Sequence, residues 1–200
     1  MTSLDIMDAL LKISKENCGL ITTKEAEKYY VSRAMLSKLY MSGKLSRVAA
    51  GHYVFSSELE DELYLLSRRS GMIIFSHETA LFLNGISERT PFEHTVTIPS
   101  SKKLAASISE RCKVYYINDE FVNLGKIILK TNLGNPVPAY DMERTVCDII
   151  RSRSRLADET FLSSLKLYVA SPKHDLIKLN TYAETFRITE KVRKYLEVLL

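Results

Sequence analysis

Arg33, Ala34, Ser37, Lys38 and Met41 fall on one side of a short helical run when it is turned at about 100° per residue. That side can form hydrogen bonds with base edges. A guanidinium at Arg33 can fork onto a guanine, Ser37 can donate or accept, and Ala34 can meet a thymine methyl. Lys38, further along, suits a phosphate. The other side carries Leu36, Leu39 and Tyr40, with Ser32 nearby, and is expected to face a core. Four further residues flank this helix in a way that suits backbone contacts. Thr23 and Lys24 open the preceding helix, where free N–H groups and the helix dipole favour phosphate. Arg47 and His52 bracket a turn that follows.

The elements that would position these residues are legible nearby. Thr22 and Glu25 have capping-box spacing, which starts a short helix from Thr23 to about Tyr29. Ser32 caps a second run, Arg33 to Ser42, and Gly43 supplies a left-handed stop. Two β-prone runs follow, between Lys44 and Phe55, around Ala49-Ala50-Gly51. Leu4 to about Asn17 has a mostly helical apolar period. Helix, helix, tight turn, helix and hairpin in this order predict a winged helix-turn-helix over residues 1–56, with its second short helix in a major groove. Its core is expected from Leu10, Ile13, Leu20, Leu36, Leu39 and Tyr53.

Charge agrees with that placement. The chain carries +4 overall; residues 1–56 hold eight Lys/Arg against five Asp/Glu, and residues 57–200 hold twenty against nineteen. Most of the excess therefore lies on the first segment. No apolar run approaches the roughly 18 residues of a membrane helix. Cys18, Cys112 and Cys147 are odd in number and far apart. That spacing suggests neither a disulfide framework nor a zinc site, and points to a reducing cytoplasm.

Residues 57–200 read as a second, mixed domain, so the fold class expected is α+β. A linking helix is expected to open around Ser56–Glu62 and to continue through Leu59, Leu63, Leu65-Leu66 and Arg68-Arg69. Met72–Phe75, Thr95–Ile98, Val114–Ile117 and Lys126–Lys130 are strand candidates, and Ser76 is placed to cap a helix reaching Gly85. Asn132–Pro138 reads as turn. Helices are expected over about 141–153, 158–170, 175–186 and 189–199, giving a small sheet followed by a helical bundle. Ile188, Val192, Tyr195, Leu196 and Leu199 make a buried stripe on the last helix. Arg151 and Arg155, with Arg187, Lys191 and Lys194, are either a solvated face or a second basic patch that bent DNA would touch.

Signs of catalysis are sparse. His52, His77, His94 and His174 are separated in sequence, and His77-Glu78 lacks a second ligand pair. Asp141 and Glu143 read as first-turn charges favoured by the helix dipole. There is no glycine-rich phosphate loop and no Gly-x-Ser-x-Gly elbow. No enzyme, metal or cofactor is expected.

Four segments together resemble one family. They are Thr22-Thr-Lys-Glu25, the wing Gly43-Lys-Leu-Ser-Arg-Val-Ala-Ala-Gly-His-Tyr-Val54, Ser76-His-Glu-Thr-Ala80 and Tyr140-Asp-Met-Glu-Arg-Thr-Val-Cys-Asp148. The resemblance is to the AbiEi antitoxins, the transcriptional autoregulators of AbiE abortive-infection systems, classed as type IV toxin–antitoxin. It covers essentially the whole chain. It implies an N-terminal domain that binds inverted repeats in its own promoter. It also implies a C-terminal domain that counteracts a nucleotidyltransferase-like toxin, which need not be bound directly. Two other readings stay open from the residues themselves: a stand-alone repressor whose second domain senses a ligand, and an adaptor whose winged helix contacts protein.

Overall fold

The computed structural model describes residues 3–57 and 59–197. It is α+β, with two sheets among the described residues, and divides into two compact units, Met1–Leu65 and Leu66–Leu200.

The first unit runs α1 (Ser3–Glu16), β1 (Ile21–Thr22), α2 (Thr23–Lys28), α3 (Arg33–Met41), β2 (Leu45–Ala49) and β3 (His52–Phe55). Each short helix begins at its own cap. Thr22 Oγ1 accepts from Glu25 N at 3.2 Å and donates to the Glu25 carboxylate at 2.7 Å. Ser32 Oγ accepts from Met35 N at 3.3 Å. Gly43, at φ +74°, ends α3; its N–H reaches Tyr40 O and that of Lys44 reaches Leu39 O, the paired bonds of a Schellman stop. The strands are antiparallel in the order β1-β3-β2, with Arg47 opposite Tyr53 and a register shift just before the turn.

Six- and nine-residue helices are too short to hold themselves in water, so the core must hold them. That core joins Ile6, Leu10, Ile13, Ile21, Ala26, Val31, Leu36, Leu45, Tyr53 and Phe55. Leu20 is buried as expected, while Leu39 is only half-buried. Tyr40 differs from expectation: it is 43% exposed. Seven residues after Arg33, it lies about 20° from Arg33 on the wheel, so it joins the outer face.

The expected linking helix starts late. Ser56 and Ser57 form a turn, Leu59 is exposed, and α4 spans only Glu62–Arg69. The division between units falls inside α4, nine residues beyond the 56/57 boundary expected from polarity.

The second unit holds β4 (Ile74–Phe75), α5 (His77–Leu83), β5 (His94–Pro99), α6 (Ala106–Ser109), β6 (Cys112–Ile117), β7 (Lys126–Lys130) and β8 (Pro136–Tyr140). The sheet order is β6-β5-β4-β8-β7; β5 and β6 are parallel, and β7 and β8 antiparallel. β8 corrects the turn expected over Asn132–Pro138. Residues two apart aim their N–H groups the same way, so Pro136 and Pro138 strip one edge of donors and spare the other. Accordingly β8 pairs with β7 over five positions and with β4 only at Phe75–Ala139.

The chain ends in α7 (Met142–Arg151), α8 (Asp158–Ala170), α9 (Leu176–Thr185) and α10 (Thr189–Leu196). Val146, Ile149, Phe161, Leu165, Leu179 and Ala183 share a core with Ile188, Val192 and Leu196. Tyr195 packs half-buried against it, and Leu199 lies outside the described residues.

Candidate functional site

In the first unit the outer face of α3 is bare. Arg33, Ala34, Ser37, Lys38 and Met41 are exposed, and Leu36 anchors the helix from beneath. Arg33 does not stand free: its Nε donates to Glu27 Oε1 at 2.8 Å, across the turn between α2 and α3. That turn is carried by Tyr30 at φ +60°, a left-handed conformation costly for a side chain with a Cβ. Tyr30 is 89% exposed. Neither Glu27 nor Tyr30 stands out in sequence, because an ion pair across a turn and a positive φ leave no periodic trace.

The hairpin between β2 and β3 is tied to the start of α2. Thr23 N donates to Gly51 O at 2.9 Å, which brings Thr23 and Lys24 beside the hairpin turn. Arg47 is exposed, with Nε 3.4 Å from Ala49 O; His52 Nδ1 lies 2.9 Å from Ala50 O. Thus Thr23, Arg47 and His52 gather around one turn, while Arg33, Ser37 and Lys38 line one helix.

In the second unit the structure divides the cations expected to form one patch. Arg187, Lys191 and Lys194 are exposed, on α10 and just before it. Arg151 and Arg155 instead line a cavity of about 360 Å³, together with Arg144, Asp148, His77, Tyr115, Tyr116, Ser152 and Ser154.

The cavity is built from β5 and β6, the start of α5, the length of α7 and the turn after it. Arg144 is fully buried, yet three of its bonds are made: Nε to Asp148 Oδ2 at 3.0 Å, and Nη1 to Phe121 O and Leu124 O at 2.9 and 2.6 Å. Its guanidinium stacks over Tyr140 and Phe186, at 4.0 and 4.6 Å from the ring centres. Its Nη2 has no hydrogen-bond partner among the described residues. Gly125, at φ +73°, permits this packing, since a Cβ there would stand 2.6 Å from Arg144 Cβ. Arg151 Nη1 reaches the other Asp148 oxygen at 3.2 Å. Burial pushes the Asp148 carboxyl up, and both guanidiniums pull it down.

His77 forms part of this wall. It stacks on Tyr115 with centroids 3.5 Å apart, and its nitrogens lie 3.0 Å from Ser76 Oγ and 3.1 Å from Ser152 Oγ. Burial first, then the charges of Lys113, Arg151, Arg144 and Arg155, hold its pKa well below the usual imidazole range. Its φ of +45° is strained, a conformation found where surrounding contacts over-determine the backbone. Ser76 occupies the cap position of α5 but makes no cap bond; its hydroxyl is engaged by His77 and by Thr97 at 2.8 Å.

Asp141 and Glu143 stand at the start of α7, as cap and first-turn charge, and do more than favour its dipole. Asp141 caps α7 through Arg144 N at 2.8 Å, but both acids are buried beside Lys178, whose Nζ is 2.8 Å from Asp141 and 3.7 Å from Glu143. Glu143 further accepts from Asp175 N at 3.1 Å, tying α7 to the start of α9. They hold helices together, a role that first-turn charge alone did not suggest. Among the described residues no three of His, Cys, Asp and Glu are grouped as metal ligands, and no helix is long and apolar enough to cross a membrane.

Comparison with known proteins gives a fold and no family. No family model matches the chain, and no curated protein matches it in sequence. Among solved structures it is similar to the RV2827C protein from Mycobacterium tuberculosis, with a TM-score of 0.63 over 92% of this chain and 72% of that one, at 14% identity. At that identity the likeness concerns the fold alone.

Proposed function

We propose that the first unit is a winged helix-turn-helix that reads double-stranded operator DNA, with α3 in the major groove and the β2–β3 hairpin as the wing. Two observations carry this reading. α3 buries a single residue, Leu36, and presents Arg33, Ser37 and Lys38 to solvent, and the β2–β3 turn gathers Thr23, Arg47 and His52. Thr23, Lys24, Arg47 and His52 would clamp phosphates, and Arg33 and Ser37 would read bases.

The rest of the proposal rests on the resemblance to AbiEi antitoxins. In it the protein represses its own operon at inverted repeats, and its second unit counteracts a nucleotidyltransferase-like toxin in phage abortive infection, in the cytoplasm. The test is footprinting of the purified protein on DNA just upstream of its own gene, with rescue of cells expressing the neighbouring toxin gene. Arg33→Ala and Arg47→Ala should abolish repression and leave rescue intact. Binding that ignores both sequence and salt would end the DNA reading. Loss of rescue with loss of DNA binding would end the division of labour.

A second reading has one observation in its favour. The basic cavity of the second unit suits a repressor that senses a ligand.

A further inference from the structure

We propose that the cavity lined by Arg144, Arg151 and Arg155 binds the phosphate group of a small phosphate monoester, up to the size of a mononucleotide. The site lies within the second unit and does not depend on the DNA reading of the first.

Charge is the first argument. Three guanidiniums line the cavity against one carboxylate, Asp148, and the nearby Lys113 is engaged by Glu78 at 3.6 Å and by Arg155 O at 3.0 Å. An excess of about two positive charges matches the charge of a phosphate monoester near neutral pH. A carboxylate or a phosphodiester would offset only half of it.

Burial is the second. A fully covered arginine with an unpartnered Nη2 is costly unless something nearby uses its charge. Arg144 cannot leave: Gly125, Tyr140, Phe186 and the carbonyls of Phe121 and Leu124 hold it. It supplies positive potential from beneath the cavity floor. Arg151 is two-thirds covered, stacks on Phe186 at 4.4 Å and is aligned by Asp148, while Arg155 is exposed at the rim over Tyr115. These two can grip an anion directly, each with forked N–H groups that match phosphate oxygens. The hydroxyls of Ser152 and Ser154 line the same wall.

Neutral His77 is the third. Burial first, and then the surrounding cations, keep its ring uncharged, so it can place one N–H and one acceptor where a charged ring would add a further proton. With one nitrogen near Ser152 Oγ, it orients that hydroxyl along the wall. Its strained backbone fits a position fixed by such contacts. A volume of about 360 Å³ lies at the small end of ligand pockets, and Tyr116, 58% exposed, is an aromatic residue in its lining.

The experiment is a calorimetric titration of the full-length protein at constant ionic strength. The probes are inorganic phosphate, adenosine monophosphate, adenosine, and a trinucleotide with and without a 5′-phosphate. Phosphate-bearing probes should bind and adenosine should not. Arg155→Gln should weaken binding by about tenfold or more, because it removes a charge-assisted hydrogen bond. Lys191→Gln, on α10 and outside the cavity lining, should leave it unchanged. Binding by the monophosphate would identify a free small molecule as the source. Binding only by the 5′-phosphorylated trinucleotide would assign the site to a nucleic-acid end and overturn the small-molecule proposal. Adenosine binding as well as its monophosphate, equal affinity in the parent and in a folded Arg155→Gln protein, or no binding of any phosphate would overturn it.

Discussion

If Arg33 reads a base, it must first release Glu27, and that competition can be measured. The pair is 2.8 Å long, with side chains 76% and 47% exposed, so it belongs to the exposed class worth about 0.2–1 kcal/mol. Glu27→Gln removes that cost and should tighten operator binding by about 1.4- to 5-fold. Arg33→Ala should weaken binding by about 1–3 kcal/mol, or roughly 5- to 150-fold, and relax base preference at one position. The two effects must be coupled. In the Arg33→Ala background, Glu27→Gln should give only the general benefit of one fewer negative charge near phosphates, which salt screens within about 8–10 Å. The assay is an electrophoretic shift titration of the four proteins of the cycle at fixed salt. Equal tightening by Glu27→Gln in both backgrounds would refute the competition. Undiminished binding by Arg33→Ala would refute the placement of α3 in the groove.

Three further expectations concern other residues. Arg47→Ala should flatten the slope of log affinity against log salt by about one unit if it neutralises one phosphate, and an unchanged slope removes it from the interface. Arg144→Met should destabilise the second unit by about 3–5 kcal/mol, because it leaves Asp148 buried with one partner fewer; Asp148→Asn added to it should restore part of the loss in urea unfolding. His77 should make the protein less stable in mild acid. Its folded pKa lies well below 6.5, so as pH falls below about 6.5 the unfolded chain takes up the proton first and stability declines towards the folded pKa. His77→Gln should flatten the fall in melting temperature between about pH 6.5 and pH 5, and an unchanged fall would assign the acid sensitivity to another group.

What the sequence determined by itself is local. Thr22 and Ser32 each cap the helix they were expected to open, and Gly43 ends one, because a cap is a bond across three residues that chain order alone positions. The β-prone run Lys126–Lys130 and the spacing of Val192 and Leu196 were readable for the same reason. Tertiary structure decided the rest. Pro136–Tyr140 became a strand because β7 needed a partner along one edge only. Arg144 and Arg151 look like surface charges in the sequence, yet they share a cavity with His77, sixty-seven residues before Arg144, only when α7 packs against α5. Burial, not residue type, gave them their chemistry. A guanidinium stripped of water must be paired or used, and only the folded chain determines which groups lose their water.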